Sequence, residues 1–174
     1  MGFDVAATYT LDKPILQGLK VKSSTAQHDL GFAVSSTDGR EYTYALHSTN
    51  TTAASAVTYP AFLIQGGTYD GWSVTTTHDA DLGRNFAGVL CSSDTVGGNY
   101  LWVQTKGYVP SCLLSTSVSA EDSLTCAEAG MLTQFLSTAV STSVAGVTFD
   151  LTNAADVGVA LEADSSGLGD AILK

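Results

Sequence analysis

The chain has 174 residues, a length that favours one domain, at most with a short appended piece, and that allows a sizeable apolar core. Seventeen acidic against seven basic residues give a net charge of −10, which disfavours nucleic-acid binding because phosphate neutralisation needs clustered Lys and Arg. Only 14% of residues are charged yet 44% are hydrophobic, which excludes both a disordered tail and a helical bundle rich in Glu, Lys and Arg.

Polarity is carried instead by Ser and Thr, about a quarter of the chain, together with 17 Gly. This is the usage of a β-rich protein with many turns. The start lacks a basic segment followed by an apolar one, so no secretory leader is expected. Met1-Gly2 does not continue as a myristoylation signal, since Ala6 stands where Ser or Thr is required. The longest apolar runs, such as Ala61-Phe62-Leu63-Ile64, are too short to span a bilayer, so a soluble protein without a membrane partner is expected.

Residues 1–22 carry Lys13, Lys20, Lys22 and Pro14 and read as an N-terminal arm reaching a neighbour. Residues 23–174 read as a single all-β domain. Leu30 to Ser35 and Glu41 to Leu46 flank Asp38-Gly39, a strong hairpin signal. Ser48 to Ser55 is a polar loop, and strands are predicted over Tyr59–Gln65 and Trp72–Thr77, divided by a Gly-rich connector. Asn85 to Cys91 is a further strand, and Tyr100 to Val109 is the most strand-like piece, dominated by aromatic and β-branched residues. Within it Leu101 and Val103 fall on one face and Trp102 and Gln104 on the other, so both faces call for dry surroundings.

Ser119 to Leu136 admits either a helix or two short strands around an Ala-Gly turn; Gly130 in its middle tips the reading to strands. Val147–Leu151, Val157–Leu161 and Ala171–Leu173 complete a series of short strands with frequent turns, the pattern of a small β-barrel or β-sandwich with little helix. Ala87-Gly88-Val89-Leu90 and Val157-Gly158-Val159-Ala160-Leu161 echo one another as strand, Gly-bearing turn, strand, which repeated hairpin grammar explains.

No nucleophile–base frame, carboxylate pair or phosphate loop stands out, so no catalytic residue and no cofactor are expected. His28, His47 and His78 are scattered. His78-Asp79-Ala80-Asp81 could offer oxygens to a cation, but it lacks the continuation of a calcium loop and reads as a solvated turn, so no metal is expected. Cys91, Cys112 and Cys126 lack metal or disulfide spacing and read as small buried hydrophobes of a reducing cytoplasm. Trp72, Trp102 and the seven tyrosines either line a sugar-binding face or lie in a core or interface. From Glu121 through Asp170 the stretch between Lys106 and Lys174 has eight carboxylates and no Lys or Arg, a solubilising surface or a face for a basic partner.

Phe86-Ala87-Gly88-Val89-Leu90 followed by Gly98-Asn99-Tyr100-Leu101-Trp102-Val103-Gln104-Thr105-Lys106-Gly107 resembles a pattern common in tailed-phage virion proteins. Val118 to Leu124, Ala129 to Leu132, Asp156 to Glu162 and Gly169 to Leu173 are similar to the closing pattern of phage capsid decoration (cement) proteins. The resemblance covers about residues 80–174; Ala120-Glu121-Asp122 replaces the usual Gly-Asp turn, and Ser137 to Gly146 is longer than the pattern. It implies a β-barrel-like or β-tulip-like protein, often trimeric, that assembles in the host bacterial cytoplasm and sits on the outer surface of an icosahedral head. Its partner there is the major capsid protein. In that setting Trp102 and Tyr108 are expected as interface anchors, with Trp72, Lys20 and Lys22 as further contacts. The competing expectation is a fibre or tail β-sandwich module that binds host glycan through Trp72, Trp102 and tyrosines.

Overall fold

The computed structural model describes residues 9–11, 18–48, 58–64, 71–77, 86–115, 118–126, 131–134, 141–144, 147–150, 157–162 and 168–174. Among these the chain is all-β, and its one helical element is a 3-10 turn at Gly18–Lys20. Strands β1 (Tyr9–Leu11), β2 (Ala33–Ser36) and β3 (Glu41–His47) open the fold. The predicted hairpin joins β2 and β3 around Asp38-Gly39: Gly39 N–H bonds Ser36 C=O at 3.1 Å and Ser36 N–H bonds Arg40 C=O at 2.8 Å.

Strands β4 (Pro60–Leu63), β5 (Ser73–Thr75), β6 (Phe86–Leu90) and β7 (Tyr100–Leu113) follow. β3 pairs with β5 in parallel, and β5–β4, β4–β6, β6–β7 and β7–β3 pair antiparallel, so five strands close into a barrel. Closure removes the sheet edges that would otherwise invite another chain. The interior holds Ala45, Ala61, Ala87, Val74, Leu90, Leu101 and Val103, and its alanines suit the narrow bore of five strands.

At 14 residues β7 is far longer than its neighbours, and past Gly107 it leaves the barrel to become the wall of a second lobe. There it pairs with β13 (Leu168–Leu173), which pairs with β12 (Gly158–Ala160), then β8 (Ser123–Cys126) and β9 (Leu132–Gln134). A parallel bridge from Leu132 to Leu114 brings β9 back to the end of β7. Val109, Cys112, Leu114, Leu124, Leu132 and Leu173 are all buried inside this lobe. β10 (Ser141–Val144) and β11 (Val147–Asp150) form a separate antiparallel pair.

Strands, not a helix, occupy the described part of 119–136, as predicted. The echo between the two glycine-bearing strands has a physical basis. A Cβ on Gly88, which has φ +134°, would lie 2.1 Å from Gln104 O on β7; one on Gly158 would lie 2.4 Å from Ile172 O on β13. In both lobes a strand approaches its partner more closely than any side chain permits.

The expectation of a free N-terminal arm is corrected over its described residues. β1 adds to β2 in parallel register, Tyr9 opposite Val34. Leu19 is buried against Val34, Tyr42, Tyr44 and Trp102 on the outside of the barrel, and Ser23 bridges Tyr100. Burial of Leu19 on this aromatic face holds residues 18–23 on the chain's own barrel.

Candidate interaction surface

Trp102, expected as an interface anchor, is 7% exposed and belongs to an intrachain aromatic cluster. Its ring lies 5.2 Å from Tyr44, 5.4 Å from His28 and 6.1 Å from Phe32. The dry surroundings predicted for both faces of β7 are therefore met within one chain: Leu101 and Val103 face the barrel interior, and Trp102 faces the N-terminal cover. Trp72 is half-buried, packed on the barrel core with its ring against Gly31. Trp102 therefore presents no open ring face for a sugar to stack on, whereas Trp72 stays partly exposed.

Lys22 is partly exposed and paired. Its Nζ donates to Asp94 Oδ1 at 3.1 Å, so its charge is engaged inside the chain. Lys20 is exposed and has no carboxylate partner among the described residues. Tyr108 remains an outward residue, 41% exposed.

Tyr108 belongs to a row the sequence reading only partly anticipated. It stands opposite Ile172 on β13, and Ile172 stands opposite Val159 on β12. Ile172 is 42% exposed; Leu168, on the same face of β13, is also 42% exposed; and Leu161, just past β12, is 43% exposed. Four of the exposed large hydrophobic residues thus share the outer face of one sheet. Isolated exposed apolar residues need no explanation, whereas an adjoining group does.

A bulge sets the shape of this face. Between Val109 and Cys112 strand β7 carries one residue more than β13 does between Ala171 and Gly169, and Ser111 takes φ +54°. The Asp170 carboxylate holds the bulge, accepting from Ser111 N–H at 3.0 Å and from the Tyr108 hydroxyl. The Tyr108 hydroxyl and Ser111 N–H keep Asp170 below the usual carboxylate range. The same hydrogen bond, reinforced by the nearby negative charges of Asp170 and Glu162, raises the Tyr108 phenol.

Beside the bulge a cleft of about 510 Å³ opens, lined by Leu19, Lys20, Arg40, Tyr42, Gln104 and Pro110 among others. Gln104 Nε2 donates to Lys106 O at 3.1 Å and Tyr108 O at 2.8 Å, tying together the backbone on both sides of the bend in β7. Arg40 Nε donates to Asp38 Oδ2 at 2.8 Å, and its stem rests against Gly107.

A buried polar cluster joins β3 to the 91–99 loop. His47 and Asp94 are fully buried, with His47 Nδ1 3.0 Å from Asp94 Oδ2. Asn99 Nδ2 donates to Asp94 Oδ1 at 2.9 Å, and His47 N–H and C=O bond Asn99 O and Gly98 N–H at 2.9 and 2.7 Å. Burial pushes the Asp94 carboxyl up, but hydrogen bonds from His47, Lys22 and Asn99 outweigh it and hold the pKa at about 2. The carboxylate is thus ionised at neutral pH and only accepts, so Nδ1 of His47 carries the proton between them. Sequence reading missed this cluster because Lys22, His47, Asp94 and Asn99 are brought together only by pairing of distant strands. Burial pushes the Cys91, Cys112 and Cys126 thiols up to about 12, so none is a thiolate at neutral pH. Among the described residues no group of three or more His, Cys, Asp or Glu could hold a metal, and His78-Asp79-Ala80-Asp81 lies outside those residues.

No protein-family model, curated protein or solved structure matches the chain.

Proposed function

We propose that the protein is a non-enzymatic virion component that decorates the outer surface of a phage icosahedral head and stabilises it by bridging capsid subunits. One observation carries the reading. The segments similar to decoration proteins are spread over about ninety residues, yet the described ones fall on β6, β7, β13, β12, β8 and the start of β9, which are consecutive neighbours in the sheet. This shared neighbourhood in the sheet is what supports the reading.

Decoration acts by mass action: a protein that binds only the mature lattice stabilises it by its differential affinity for that state. Closed barrels suit the role because they leave few free edges to pair indiscriminately. The glycan-binding alternative, through Trp72, Trp102 and tyrosines, is the less favoured reading because Trp102 is buried in the chain's own aromatic cluster. Quantitative mass spectrometry of gradient-purified particles from a lysate containing the protein tests the proposal. A ratio approaching one copy per major capsid protein is the expected result. A few copies per particle would point to a vertex, fibre or tail role, and absence from particles would overturn the reading.

A further inference from the structure

The cleft beside the bulge opens where the pairing of β6 with β7 ends, at Val89 opposite Gln104. Its volume of about 510 Å³ falls within the range of about 300–1,000 Å³ typical of small-molecule sites. Leu19, Val89, Cys91 and Pro110 give it a largely apolar lining, and burial keeps the Cys91 thiol protonated at neutral pH. Two polar groups of the cleft are left over by the fold. Gln104 is only 6% exposed, and its Nε2 gives its hydrogens to the carbonyls of Lys106 and Tyr108. Those two acceptors fix which end of the amide is nitrogen, and Oε1 has no donor among the described residues. An acceptor on so buried a side chain is costly unless water or a ligand supplies the donor. On the rim, Lys20 is exposed and has no carboxylate partner among the described residues, whereas Arg40 is paired with Asp38.

We propose that this cleft binds a small, largely apolar compound that carries one anionic group and one N–H or O–H donor. The donor meets Gln104 Oε1, the anion meets Lys20, and the apolar body lies against Leu19, Val89 and Pro110. Each part of the ligand answers a different feature of the cleft: an acceptor the chain leaves unfilled, a cation it leaves unpaired, and walls that gain by losing water. A few placed polar groups in an apolar hollow are the usual means of fixing a small ligand's orientation. The site goes beyond the particle reading above and does not depend on it.

Fluorescence titration of the full chain with anilinonaphthalene sulfonate, in the isomer that holds its N–H and sulfonate apart, tests the site. Two relatives of the dye separate the contacts: phenylnaphthylamine lacks the sulfonate, and the N-methylated sulfonate lacks the N–H. The parent dye is expected to bind saturably at one site, with amide shifts in NMR spectra centred on Leu19, Lys20, Tyr42, Cys91 and Gln104. Methylation should weaken it by about fivefold, the worth of one hydrogen bond. Lys20→Met should weaken the parent dye by about fivefold and phenylnaphthylamine by less than about twofold. Ile172→Ser, on the exposed apolar row outside the cleft, should change neither. Both substituted side chains are exposed, and near-UV circular dichroism checks that each variant keeps the native fold. Absence of saturable binding, or shifts centred on Tyr108 and Ile172, overturns the proposal. So does a methylated dye that binds as well as its parent, or a Lys20→Met variant that treats charged and neutral dyes alike. Copy number on particles has no bearing on these readouts, so the two proposals fail separately.

Discussion

Replacing Asp94 by Asn tests whether the buried cluster at the end of β3 is a stabilising device. The substitution keeps the shape of the side chain but removes its charge and turns one acceptor into a donor. Asp94 accepts from His47, Lys22 and Asn99, and its side chain is fully buried, as is that of His47. Lys22 is 39% exposed and can return to water, so the main loss falls on the buried His47 and Asn99 contacts. The gap between an ordinary aspartate near 3.8 and the folded value of about 2 corresponds to about 2 kcal/mol. Breaking one partner of a buried ion pair commonly costs about 3–5 kcal/mol, so about 2–4 kcal/mol is expected.

Urea denaturation at neutral pH should show this as a lower midpoint with an unchanged slope, and thermal melts as a drop of roughly 5–12 °C for a chain of this size. The pH dependence supplies the sign. The folded state lowers the Asp94 pKa, so the unfolded state takes up the proton first. The increment is fully present above about pH 4 and is lost as pH falls towards about 2. The wild type should therefore lose more stability than Asp94→Asn across that window. Equal stability at neutral pH, or the same slope with pH in both proteins, would refute the reasoning.

Gly88→Ala should destabilise the chain by more than about 3 kcal/mol, seen in the urea midpoint, because a Cβ there meets Gln104 O at 2.1 Å and the φ of +134° suits no L side chain. Trp102→Ala removes the centre of the aromatic cluster on the barrel exterior and should cost about 3–5 kcal/mol, with loss of near-UV dichroism from the neighbouring rings. The three thiols should react slowly with a disulfide reagent at neutral pH in the native protein and all together once denatured; rapid native labelling of Cys91 would contradict its raised pKa.

Much of the fold is legible locally. Asp38-Gly39 between two β-prone runs encodes its hairpin without help, and Gly130 is enough to tip 119–136 towards strands. The dual packing of β7 follows from Leu101, Trp102, Val103 and Gln104 alone. Other features depend on residues far apart in sequence. The parallel pairing of β1 with β2 leaves no periodicity in three residues, and β10 lies in a Ser/Thr-rich tract that reads equally as loop. Trp102 shows why burial and interface are hard to separate in advance: an aromatic residue on a second dry face needs a cover, and sequence does not say whether that cover is the chain's own Leu19 or another protein. Lys22 poses the same problem, since the partner of its charge is 72 positions away.

The shared strand explains how the barrel and the second lobe become one sheet. Had β7 stopped at Lys106, the first lobe would be a closed five-stranded barrel with its own core and aromatic cover. Continuation through Gly107 carries the backbone into the second lobe, and Gln104 fixes the turn by bonding carbonyls on both sides of it. The cleft opens beside this stretch of β7, lined by Gln104 before Gly107 and by Pro110 and Ser111 after it. The Ser111 bulge, held by Asp170, then governs which residues beyond the bend face outward. A change to Gln104 should accordingly disturb the second lobe as well as the first, whereas a change to Asp94, whose partners His47, Asn99 and Lys22 all lie in the first lobe, should act there alone.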